Sequence, residues 1–138
     1  MNTSTPPSLV TEDAAHWLAS VADICERAAC GDLEARISGL AGSGDFSRLC
    51  SAINHMLDVA DSYVRESSAV MDYCSRGQYH RPILLRGLPG SYRDGAEIIN
   101  GAALKMKQDA AQIAQFEAER ERVASRVLQA TDFVSGSA

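Results

Sequence analysis

A thiol and an imidazole six residues apart, Cys74 and His80, are the side chains of this sequence best suited to chemistry. Thiolate and imidazole are both good iron ligands, and both serve as axial donors to haem. The two flank the end of an apolar-periodic segment and stand beside Tyr73 and Tyr79, whose rings could line a slot for a flat apolar ligand. Gly101, Ala102 and Ala103 are small enough to open such a slot between helices. Packing explains the same residues more simply. Cys74 falls on an apolar stripe, where a free cysteine behaves as a small hydrophobe. His80 lies in a connector, where an exposed or backbone-bonded histidine is ordinary. Haem held by Cys74 or His80, with Tyr73 and Tyr79 at the pocket, is therefore carried as the alternative reading, and haem iron is the one metal considered.

The remaining candidates point away from catalysis. His16 and His55 have no second donor at a ligand spacing. Cys25, Cys30 and Cys50 form no CxxC pair with one another or with Cys74. The stretch GSGDF lacks the lysine of a phosphate loop, and Ser43 and Ser47 have no base placed near them, so turn formation or helix capping is their expected use. No enzymatic activity is expected. A net charge of -5, with both signs mixed along the chain, offers no stripe to neutralise phosphates, and no nucleic-acid partner is expected. No run approaches the roughly 18 apolar residues of a membrane span, and the polar start MNTSTPPS is unlike a signal peptide, so the expected location is cytoplasmic.

The elements that position these residues are set by an internal repeat at an offset of 46 residues. It aligns Gly31 with Gly77, Leu33 with Tyr79, Ile37 with Ile83, Gly44 with Gly90, Phe46 with Tyr92, Ile53 with Ile99 and Asn54 with Asn100. Ile24 falls on Val70 and Ala28 on Cys74, while the partner of His80 is Glu34, so the first copy lacks both candidate ligands. Each copy reads as helix, glycine-containing connector, helix.

Periodicity supports the same division. Ala14, Trp17, Val21, Ile24 and Ala28 advance by threes and fours along one helical stripe, which should stop at Gly31. A second stripe runs Phe46, Leu49, Ile53, Met56, Ala60, Tyr63, Ser67, Val70 and Cys74, so the second helix of copy one should continue as the first helix of copy two and end at Gly77. A third runs from Ile99 through Met106, Ile113, Phe116, Val123 and Val127 to Val134, with Asp109 and Arg120 as polar interruptions, in the heptad spacing of a coiled coil. With Val134 still in phase near the end, the sequence reads as a piece of a longer chain. The expected organisation is a tail over 1–12, a first unit over 13–60, a second over 61–106 and an exit helix over 107–138. The expected fold is all-α: a helical bundle of two repeated units, completed by dimerisation. Ile37, Ile83, Ile53, Ile99, Met56 and Met106 are its expected packing residues.

The paired segments CGDLEARI with DFSRLCSAINHMLD, and RGQYHRPI with GLPGSYRDGAEIIN, resemble the HAMP-type units found in series in bacterial methyl-accepting chemotaxis proteins and sensor kinases. The resemblance covers about residues 14–106, and Asn54 with Met56 is similar to the family's second-helix ending. QFEAERERVASRVLQATDFVSGSA is similar to the stretch leading into a chemoreceptor's signalling coiled coil. The resemblance implies parallel helical hairpins that dimerise into four-helix bundles and relay conformational change. The implied partners are a second copy of the chain and a downstream signalling domain or chemotaxis proteins. Two departures stand out: the acidic residue opening the family's second helix is Asp45 in copy one but Ser91 in copy two, and Pro82 keeps His80 and Arg81 out of a regular helix.

Overall fold

A computed structural model describes residues 12–39 and 44–136. Among these residues all regular structure is helical: α1 (Glu12–Ala29), α2 (Asp45–Ser75) and α3 (Gly90–Gly136). The expected tail lies outside the described residues except for Glu12, which begins α1. Ser43 also falls outside them. No proline or glycine interrupts α2, so the second apolar stripe lies on one unbroken 31-residue helix. The 47 residues of α3 would extend about 70 Å at 1.5 Å per residue.

The chain divides into two compact units, Met1–Val64 and Arg65–Ala138, with α2 contributing to both. In the first, Val21 of α1, Ile37 of the connector and Cys50 of α2 form a buried cluster, with Trp17, Ile24, Phe46 and Ile53 packed against it. Leu57 and Val59 are buried as well. In the second, the buried residues are Val70, Cys74, Ile83, Leu88, Ala96 and Ala103. The repeat survives in this core: at the 46-residue offset Ile37 matches Ile83, Cys50 matches Ala96 and Leu57 matches Ala103.

Within one chain the core lies beside part of the expected stripe. Leu49 and Met56 are 48% and 55% exposed, and the chain's own core takes Cys50 and Leu57, one position further along. Met106 is likewise exposed, whereas Ile37 and Ile83 are buried and Ile53 and Ile99 half-buried. Adjacent stripes on one helix share the same three-and-four spacing, so periodicity finds the apolar face without saying which edge of it the chain covers itself.

Candidate functional site

The residues that join each connector to its flanking helices occur twice with the same hydrogen bonds. Each joint starts at a helix end. Asp32 N–H donates to the Arg27 carbonyl (2.9 Å) and Gly31 N–H to that of Ala28 (3.0 Å). Forty-six residues on, Gln78 N–H donates to the Tyr73 carbonyl (2.9 Å) and Gly77 N–H to that of Cys74 (3.0 Å). This pair of bonds is the Schellman motif, and it needs a left-handed residue just past the helix. Gly31 (φ 97°) and Gly77 (φ 74°) supply it.

Each connector is then clamped by an asparagine from the helix that follows. Ile37 N–H donates to Asn54 Oδ1 (2.9 Å), and Asn54 Nδ2 donates back to the Ile37 carbonyl (2.9 Å). Ile83 N–H donates to Asn100 Oδ1 (2.7 Å), and Asn100 Nδ2 donates to the Ile83 carbonyl (2.9 Å). An extended connector cannot bond its own backbone, so a primary amide that both accepts and donates satisfies the N–H and C=O of a residue whose side chain is buried. The clamp fixes which connector residue points inward, and Ile37 (7% exposed) and Ile83 (2%) are those residues. The alignment of Asn54 with Asn100 was visible in the sequence; their partners were not.

The two joints differ around this shared frame. In the first, Arg36 Nε donates to Asp58 Oδ1 of α2 (2.8 Å), while its Nη1 donates to the carbonyls of Leu33 and Ala35 (2.8 Å to the latter). Arg27 Nη2 donates to Asp32 Oδ2 (2.7 Å), and Glu34 N–H donates to Asp32 Oδ1 (3.2 Å). The Arg27 hydrogen bond, then that from the Glu34 amide, holds the Asp32 carboxyl below its ordinary value. In the second joint, Pro82 stands in the place of Arg36, and Tyr73 with Gln78 in the place of Arg27 with Asp32. Tyr73 instead lies under two guanidinium groups, those of Arg76 (5.0 Å to the ring centroid) and Arg81 (5.6 Å). Arg81 also reaches Glu66 (3.4 Å), and Arg76 reaches Asp72 (2.6 Å).

The residues considered as haem ligands part company here. Cys74 is 4% exposed and belongs to the buried core. His80 is exposed, its ring 6.0 Å from that of Tyr73, and Tyr79 is half-buried. Of that set the structure brings Tyr73 and His80 together. Among the described residues no group of three or more His, Cys, Asp or Glu side chains is placed to hold a metal ion. No helix among them is long and apolar enough to cross a membrane.

A second feature is an uncovered apolar face. Along α3, Ile113 (60% exposed), Phe116 (64%), Val123 (58%), Val127 (59%) and Val134 (70%) follow the heptad spacing. Leu49, Met56 and Val64 of α2 are exposed in the same way. Exposed apolar side chains at coiled-coil spacing mark a surface for another helix.

Sequence comparison gives this geometry a context. The chain is 34% identical over 99 residues to the methyl-accepting chemotaxis protein Amb0994 of Paramagnetospirillum magneticum (strain ATCC 700264 / AMB-1). It is thus related to a segment of a chemoreceptor. The match takes in 72% of this chain and 23% of the relative, so the chain spans less than a quarter of the relative's length. No protein-family model matches the chain. No solved structure matches it either.

Proposed function

We propose that this chain is a signal-relay segment of a chemoreceptor-like protein, built from two tandem HAMP-type units and active as a parallel homodimer. Four of the shared features are mechanical: a helix end, an extended connector, an asparagine clamp and an outgoing helix. A displacement entering at α1 changes the packing of the first unit, passes along the unbroken α2, and leaves through α3 towards a downstream signalling domain or chemotaxis proteins. Such a relay acts by biasing two packings of a bundle, and no reaction is required of it.

What carries this reading is the heptad stripe of α3. A helix of this length whose second half is exposed would be marginal alone, because isolated helices gain little beyond propensity. A second copy in register would bury Ile113, Phe116, Val123, Val127 and Val134 against themselves. Asp109 and Arg120, at seam positions, would lower the stability of that seam and help to fix its register. Asp109 already has an exposed partner, Lys105, at 3.0 Å. The similarity to a methyl-accepting chemotaxis protein supports the same assignment.

Sedimentation and disulfide trapping test it. The purified chain should sediment as a dimer. With the exposed Cys25 and Cys30 replaced by serine, V123C should cross-link rapidly into a dimer and S125C, on the face away from the seam, slowly. A chain that stays monomeric at high concentration, or S125C trapping faster than V123C, would remove the dimeric relay.

A further inference from the structure

Ser67 of α2 has a buried hydroxyl with no hydrogen-bond partner. At the matching place in the first unit stands Val21, an apolar residue of the core cluster. Desolvating a hydroxyl without compensation opposes folding, so the second unit carries a local cost that the first does not. The helix packed in the same unit is unusual too. The buried residues of α3 are two alanines, Ala96 and Ala103, where α2 supplies Cys50 and Leu57 to the first unit. Alanine has no rotamers and little reach. A helix whose fully buried side chains are methyl groups interdigitates less deeply, so turning it about its axis meets less resistance than turning one that inserts a leucine.

The connectors reinforce this difference. Arg36 ties the first connector forward, to Asp58 of the outgoing helix. Its counterpart is Pro82, which has no side chain able to do so, and neighbouring Arg81 ties the second connector backward, to Glu66 of the incoming helix. Apolar anchoring in the second unit moves to the connector as well, through Leu88 (5% exposed). The charged tie of the second connector therefore runs to the helix that brings the signal, leaving the Asn100 clamp to hold it to α3, whose fully buried residues are alanines.

We infer that the two units divide the work of a relay: the first is a fixed coupling, and the second is the compliant joint in which α3 changes its setting against α2. This regulation rests on the relay reading above. The buried hydroxyl of Ser67 lowers the cost of leaving the packing seen here, since a shift that lets it reach water restores hydrogen bonds that burial withholds.

Hydrogen exchange of the full chain, read by mass spectrometry, tests the division. Equivalent stretches after each connector are compared: amides of 91–103 should exchange about tenfold faster than those of 45–57. Ser67→Val, restoring the residue type of the first unit, should slow exchange at 65–75 and 91–103 by about tenfold and leave 45–57 unchanged. Ser67→Ala removes the orphan hydroxyl without added volume and should give a smaller slowing in the same direction. Equal or slower exchange at 91–103 in the unmodified chain would overturn the inference. So would unchanged exchange in both variants with helix content retained. Failure of the dimer is seen separately, by sedimentation, and a dimer with evenly protected units would discard the compliant joint alone.

Discussion

Laid over one another at 46 residues, the described parts of the two connectors share the helix-end bonds and the asparagine clamp and differ in most of the side chains that add to them. Glycine in the left-handed conformation, the paired helix-end bonds and the asparagine clamp recur with distances that match to within about 0.2 Å. Arg36 with Asp58, Arg27 with Asp32, and Leu57 belong to the first unit only. The second has the Tyr73 ring under Arg76 and Arg81, the orphan Ser67 and the two alanines. Buried backbone groups must be satisfied in every copy, whereas surface ties and core volume set how tightly each copy is held and are free to diverge. Duplication here has kept the joint and varied its stiffness.

The largest test of that contrast lies in the core. Leu57→Ala removes most of a buried side chain and should cost about 2–5 kcal/mol in urea unfolding. Its counterpart is already Ala103, so Ala103→Gly should cost only about 1 kcal/mol, the ordinary price of glycine within a helix. If Leu57→Ala costs no more than Ala103→Gly, the first unit is no better anchored than the second.

The clamps come next. Asn54→Ala and Asn100→Ala each remove two hydrogen bonds and strand an N–H and a C=O beside a buried isoleucine, a loss of about 2–3 kcal/mol. Asn54→Ala should be the milder of the two, because Arg36 continues to hold the carbonyls of Leu33 and Ala35 and the tie to Asp58. Chemical denaturation of the two variants side by side measures the difference. A larger loss at Asn54 would mean that Arg36 adds nothing to the first joint.

These clamps also mark how far the sequence could be read. Glycine and asparagine were legible because backbone geometry restricts what can replace them, so a repeat keeps them in place. Gly31 and Gly77 end their helices within two residues of where the periodicity ran out, and α2 carries the whole of the second stripe as the spacing demanded. The partner of each asparagine was not legible, since Ile37 and Ile83 lie 17 residues away along an aperiodic connector. Leu49 and Met56 lie on the legible stripe, yet the core of the single chain takes Cys50 and Leu57, because an apolar face wide enough for two partners has no single edge in the sequence. Arg36 escaped notice for a related reason: a lone arginine in a connector has no pattern until its acceptors are placed around it. Ser67 sat in an apolar stripe as an unremarkable polar interruption, and only burial without a partner makes it informative.

The smallest effect concerns pH and separates the units by kind. Asp32 receives Arg27 and the Glu34 amide, which favour its charged form and hold its carboxyl below the ordinary 3.8. A carboxyl with a lowered folded-state value binds fewer protons when folded than when unfolded, so its contribution is complete above the ordinary value and is lost as pH falls through the lowered one. The matching residue in the second unit is Gln78, which does not titrate. Acid should therefore loosen the cap of the first joint while sparing that of the second. Carbon-detected titration should find the Asp32 carboxyl below 3.8, and Arg27→Ala should move it back up towards that value. Asp32→Asn should lower the melting temperature slightly at neutral pH and have no further effect once the carboxyl is protonated. The pair is exposed, so the change will be modest and reduced by salt. An Asp32 that titrates at its ordinary value, unmoved by loss of Arg27, would leave the two caps equivalent in their response to acid, and the divergence between the joints would then lie in the core and the Arg36 tie.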